Sequence, residues 1–116
     1  YRSFMSRILN KPISNRSLSA IELLGNLIRV ARKERKITVQ ELADRAGISR
    51  GLVQRIEKGD PSCSISAAFE AAIIVGVPLF DLDSKQLSQK LNQTNEKLAL
   101  LPKAIHKSRQ SVNDNF

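Results

Sequence analysis

The sequence predicts an all-α chain, with five short helices in one small domain followed by a longer amphipathic helix and a polar tail. Three observations carry this expectation. Helix-start signals, a Ser or Thr with a Glu three residues on, stand at Ser19–Glu22 and Thr38–Glu41, where hydroxyl and carboxylate can each satisfy a free backbone N–H. Apolar residues after each start recur at three- and four-residue steps, the period of a helix face. Beyond residue 84 the same period carries leucines through an otherwise polar stretch.

Taken in order, Tyr1 to Phe4 read as residues appended ahead of a natural start at Met5. Residues 1–18 form a polar arm bearing Arg7, Lys11 and Arg16 and broken by Pro12; it reads either as a solvated tail or as an arm that tracks phosphates. The domain spans residues 19–83. Its first helix runs from about Ala20 to Lys36 and turns Leu24, Leu27, Ile28 and Ala31 inward. The basic end of that helix, Arg29, Arg32, Lys33, Arg35 and Lys36, complements the helix dipole and is also within reach of phosphate.

The stretch from Ile37 to Gly59 reads as two short helices joined by a tight turn. Thr38 starts the first, and Leu42, Ala43 and Ala46 form its buried stripe. Gly47 supplies the left-handed conformation at which a helix can stop, and Ser49 caps the second helix. Val53 and Ile56 point inward, which leaves Ser49, Arg50, Gly51, Gln54 and Arg55 outward. That outer face is a set of donors around one residue without a side chain, so it can approach base edges closely. Lys58 follows in a loop, as a candidate phosphate contact. A fourth helix from about Ser64 to Val75 is expected to bury Ile65, Ala68, Phe69, Ala72 and Ile73 and to close at Gly76. Pro78 starts a short fifth helix in which Leu79, Phe80 and Leu82 add apolar bulk.

Leu87, Leu91, Thr94, Leu98 and Leu101 then recur at helical steps among Ser, Gln, Asn, Lys and Glu. They define a helix over residues 84–101, ~27 Å long at 1.5 Å per residue. So thin a stripe is usually covered by another helix, whether from its own domain, a second copy or another protein. Pro102 ends it. The tail, residues 102–116, holds only Ala104, Ile105, Val112 and Phe116 as apolar residues, too few to fold alone. Phe116 closes it in the manner of a peptide anchor, one aromatic for a pocket with polar flanks.

The net charge is +8, and its distribution says more than its size. Residues 29–58 carry nine basic against four acidic residues, whereas residues 59–83 carry Asp60, Glu70, Asp81 and Asp83 with no base. One side of the domain is therefore basic and the other acidic, a polarity suited to a polyanion bound on one face. The single cysteine, Cys63, excludes an internal disulfide and a cysteine metal cluster. The only histidine is His106 in the tail, and no nucleophile–base pair, phosphate-cradling glycine loop or metal spacing occurs, so neither an enzyme nor a cofactor is expected. No apolar run approaches the ~20 residues of a membrane span, and no apolar segment follows the first basic residues as in a secretion signal. The expected compartment is the cytoplasm, at the nucleoid.

The pattern Thr38-x-x-Glu41-Leu42-Ala43-x-x-Ala46-Gly47-Ile48-Ser49-x-x-x-Val53-x-x-Ile56-Glu57-x-Gly59 resembles the helix-turn-helix of the Xre/Cro repressor family. The likeness extends from about Ile21 to Asp83. It implies a dimer on a palindromic double-stranded operator, each subunit laying the helix Ser49 to Glu57 in a major groove, with half-sites ~34 Å apart. Arg50 and Gln54 are then the base readers, with Ser49 and Gly51 completing the base-facing set. Thr38, Gln40, Arg55 and Lys58 hold phosphates. Val39 stands where that family often carries a backbone-contacting Gln, and Gln40 is the candidate substitute.

A narrower resemblance rests on the polar helix, on Leu101-Pro102-Lys103 and on the closing Val112-Asn113-Asp114-Asn115-Phe116. Together they are similar to antitoxins encoded beside HipA-family kinases, the HipB-like group, although Ala104 and Ile105 stand where a more basic run is expected. That likeness implies a homodimer that represses its own operon and binds the kinase toxin, sometimes with a small extra component. Leu87, Leu91, Leu98, Leu101 and Phe116 are then the partner-binding residues. Two other readings stay open: a phage-type or general Xre-family repressor without a toxin partner, and a protein-interaction module that has lost DNA binding.

Overall fold

A computed structural model of the chain describes residues 12–105 and 107. Among them no strand occurs, and the expected all-α class is what the backbone adopts. Four helices form the domain: α1 (Asn15–Glu34), α2 (Val39–Ala46), α3 (Arg50–Glu57) and α4 (Ile65–Val75). A single 3-10 turn (Leu79–Asp81) follows, and α5 (Ser84–Leu100) comes after it. Ile28, Ile37, Leu42, Ala43, Val53, Ile56, Ala67, Ala71, Ala72 and Val75 make up the core. No described helix is long and apolar enough to cross a membrane.

Helix α1 starts five residues before the expected position. Ser14, not Ser19, is its cap and accepts from the Ser17 N–H at 3.2 Å, and Ser19 and Glu22 lie inside the helix. Residues 15–18 hold no Pro or Gly, so once a turn forms it propagates back at little cost until Pro12 forbids more. The helix also ends earlier, at Glu34: Lys36 takes φ 57° and donates its N–H to the Lys33 carbonyl. Of the expected stripe, Ile28 is buried and Leu24 and Ala31 half-buried, whereas Leu27 is exposed, because Arg32 takes the next place on the inward face.

Helices α2 and α3 fall where the caps placed them, and Gly47 takes the left-handed φ of 68° between them. In α4 the buried face is Ala67, Ala71, Ala72 and Val75, while Ile65 and Ile73 are 69% and 58% exposed, against expectation. Apart from Ser66 and Glu70 this helix is apolar all round, so periodicity could not select its inner side. Alanines won because their small side chains let α4 pack close to α1 and α2.

The expected fifth helix of the domain does not extend beyond one turn. Phe80 and Asp81 both adopt left-handed φ, 55° and 59°, which no α-helix of L residues continues. Leu79 is half-buried, but Phe80 is 74% exposed, with its ring edge-on to Phe69 at 6.2 Å.

Helix α5 is a unit of its own. Asp83 caps it in a reciprocal box with Gln86, whose carbonyl accepts from the Asp83 N–H at 3.0 Å. The helix reaches Leu100, and Leu101 is its C-cap. No residue of α5 is buried. Thr94 satisfies its own hydroxyl by donating to the Leu91 carbonyl at 2.8 Å, which lets a polar residue sit in the leucine stripe.

Candidate nucleic-acid interface

The site is the α2–turn–α3 segment, and its geometry begins with the caps. The Thr38 hydroxyl accepts from the Glu41 N–H at 3.0 Å, and the Glu41 carboxylate accepts from the Thr38 N–H at 2.9 Å. The Thr38 backbone N–H first, then its hydroxyl, hold the Glu41 carboxyl below its ordinary range, and the nearby Arg45 charge adds to this. The Ser49 hydroxyl accepts from the Leu52 N–H at 3.1 Å and so starts α3. These local bonds fix the angle at which α3 leaves the turn.

Behind α3 lies a seam that fixes its depth and roll. Gly25 of α1 faces the last turn of α3 so closely that an added Cβ would lie 2.5 Å from the Ile56 carbonyl oxygen and 2.9 Å from that of Glu57. Two turns further along α1, the buried Arg32 guanidinium grips the buried Glu57 carboxylate along one edge, Nε to Oε2 at 2.7 Å and Nη2 to Oε1 at 3.0 Å. Its remaining nitrogen, Nη1, donates to the Ile37 carbonyl at 2.9 Å. One guanidinium thus ties the end of α1, the chain just before α2 and the end of α3. The Glu57 bond raises the Arg32 pKa further, although burial opposes it.

From sequence Arg32 reads as part of a basic helix end that complements the dipole or reaches phosphate, and Gly25 carries no reading. Two signals were available. A glycine inside a helix costs about 1 kcal/mol against alanine and so calls for a packing reason, and Glu57 is an acid ending the inward face of an otherwise basic helix.

The outer face of α3 is open. Arg50, Gly51, Gln54 and Arg55 are exposed, as are Ser49 before the helix and Lys58 after it, while Val53 and Ile56 on the opposite side are buried. Among the described residues Arg50, Gln54, Arg55 and Lys58 have no side-chain hydrogen-bond or ion-pair partner, so their donors point to solvent unclaimed. Thr38 and Gln40 are exposed at the start of α2, where Gln40 Nε2 already donates to Asp44 Oδ1 at 2.9 Å. The structure thus brings all eight expected DNA-facing residues onto one segment. Leu87, Leu91, Leu98 and Leu101 are exposed on and just after α5, and Phe116 lies outside the described residues.

Residues 28–82 match the helix-turn-helix family model HTH_3. The match covers α2, the turn and α3 together with most of their supports, and it supports a DNA-binding transcriptional regulator of the Xre type. No curated protein and no solved structure matches the chain.

Proposed function

We propose that the chain is a sequence-specific repressor that binds a palindromic operator as a homodimer, with α3 in the major groove. What carries the reading is the outer face of α3, where Arg50 and Gln54 stand exposed, without a side-chain partner among the described residues, above a buried Val53 and Ile56. The Arg50 fork matches guanine O6 and N7, a pairing worth ~1–3 kcal/mol of discrimination, and Gln54 one turn on can pair with adenine. Gly51 between them lets the helix come close. Ser49 joins the base-facing set. Arg55, Lys58, Thr38 and Gln40 hold phosphates and set the register. In the finer form of this proposal the chain is the antitoxin of a HipA-like kinase toxin and represses its own operon in the cytoplasm. The leucines of α5 pack on a second copy or on the kinase, and Phe116 anchors the tail.

Anisotropy titrations on the chain's own upstream duplex and on a scrambled one test the DNA reading. Arg50→Ala is expected to bring the two affinities together, and Lys58→Ala to weaken both alike and reduce the salt slope by about one. Equal losses on both duplexes for Arg50→Ala would remove its base-reading role. No binding by the unaltered chain would leave only an interaction module. For the partner, a pull-down with a HipA-type kinase, with and without residues 103–116, is expected to lose retention when those residues are removed.

A further inference from the structure

Among the described residues nothing buries any part of α5, yet its sequence carries a regular seam. Ser84, Leu87, Leu91, Thr94, Leu98 and Leu101 alternate steps of three and four, so the seam repeats every seven residues along the whole helix. Leu91, Leu98 and Leu101 are 58%, 65% and 51% exposed. A helix of 17 residues with none of them buried is marginal in water, because helices in proteins draw most of their stability from a covered apolar face. The seam therefore calls for a partner.

The residues flanking the seam decide which partner fits. On one side stand Lys90 and Lys97, each just before a seam leucine; on the other stand Ser88 and Asn95, just after Leu87 and Thr94. In a two-stranded coil these flanking positions meet across the interface. Two copies of α5 running parallel set unlike sides together, so Lys90 faces Asn95 of the other copy and no like charges meet. Running antiparallel, with Leu91 opposite Thr94 and Leu87 opposite Leu98, they set like sides together, and Lys90 meets Lys97 twice, a repulsion that selects against that orientation. The polar layer agrees. Parallel chains place Thr94 opposite Thr94, whereas the antiparallel register spends it on Leu91. The Thr94 hydroxyl already donates to the Leu91 carbonyl of its own chain at 2.8 Å, so it can be covered without leaving a donor unpaired.

We propose that α5 pairs with α5 of a second copy as a short parallel two-stranded coil, with Leu87, Leu91, Thr94, Leu98 and Leu101 as its layers. This rests on the homodimer reading above and gives it an interface and an orientation: both chains enter the coil at the same end, as a two-fold operator asks of its two subunits. The test uses full-length Cys63→Ser protein without DNA, in which an introduced cysteine is the only thiol. Ser84→Cys lies in the seam at the start of α5, and Gln89→Cys lies on the opposite side of the helix. Parallel pairing puts the two thiols at position 84 side by side. Antiparallel pairing holds them about the length of α5 apart, ~26 Å at 1.5 Å per residue, too far for a disulfide. In a glutathione redox buffer Ser84→Cys is expected to form the linked dimer roughly tenfold faster than Gln89→Cys. By sedimentation equilibrium Thr94→Leu, which removes the polar layer, is expected to lower the dimer dissociation constant by about fivefold or more. Equal linking rates, or a Thr94→Leu dimer no tighter than the original, would overturn the proposal. A dimer in sedimentation without selective linking at position 84 would overturn the pairing and leave the homodimer reading standing, whereas a monomer throughout would remove both.

Discussion

The two sides of α3 stand at opposite extremes of constraint. On the inner side Gly25 admits no extra atom, and each of the three Arg32 guanidinium nitrogens donates, two to Glu57 and one to the Ile37 carbonyl. On the outer side an added Cβ at Gly51 meets nothing nearer than the Ser49 hydroxyl at 4.0 Å, and four polar side chains find no partner among the described residues. The difference teaches that the fold fixes where α3 lies without dictating what its outer face carries. That face can change its residues at almost no expense in stability.

The sharpest way to break this contrast is at the ion pair. Arg32→Ala leaves the Glu57 carboxylate buried without a counter-charge and the Ile37 carbonyl without its donor. Removing one member of a buried pair typically costs ~3–5 kcal/mol, much of what a domain this small has to spare. A thermal melt is expected to fall by well over 10 °C at the ~4–8 °C per kcal/mol of such domains. A melt shifted by only a few degrees would mean that the seam does not hold α3.

Gly25→Ala comes next. Helix propensity alone predicts a gain of about 1 kcal/mol, but the new Cβ meets two backbone oxygens that cannot swing aside as a side chain end would. Overpacking of this kind costs ~1–3 kcal/mol, so denaturant unfolding is expected to show a net loss. Because relief comes only by pushing α3 away from α1, affinity for duplex is expected to fall as well. A stabilised Gly25→Ala protein would show that the two helices have slack between them.

The contrast also explains what the sequence made legible. The outer side of α3 was readable because its cues are local: Thr38, Glu41, Gly47 and Ser49 each act within four residues, and polar residues opposite Val53 and Ile56 have only one way to face. The inner seam was not, because Arg32 and Glu57 lie 25 residues apart and only the fold brings them together. Helix α4 failed for another reason. Its isoleucines, more hydrophobic than its alanines, suggested the wrong inner face, and the close approach of α1 and α2 that favours alanine has no signature within residues 64–75. Ser19 reads as the cap because it has a Glu three residues on, yet a helix free to extend starts earlier, at Ser14.

The smallest expected change in stability is at Gly51, and it separates the two sides most cleanly. Because a Cβ there meets nothing nearer than 4.0 Å, Gly51→Ala is expected to leave stability unchanged or to raise it by up to ~1 kcal/mol, the usual benefit of replacing a helical glycine, with the melt unchanged or higher. Among the described residues no internal packing accounts for a glycine at this position. Close approach by an outside surface would, and the added methyl group would then stand between α3 and the base edges. Gly51→Ala is therefore expected to bind duplex more weakly while folding at least as well. Unchanged affinity in a fully folded Gly51→Ala protein would mean that α3 does not sit deep in the groove at that residue, and contact would then fall to the longer arms of Arg50 and Gln54.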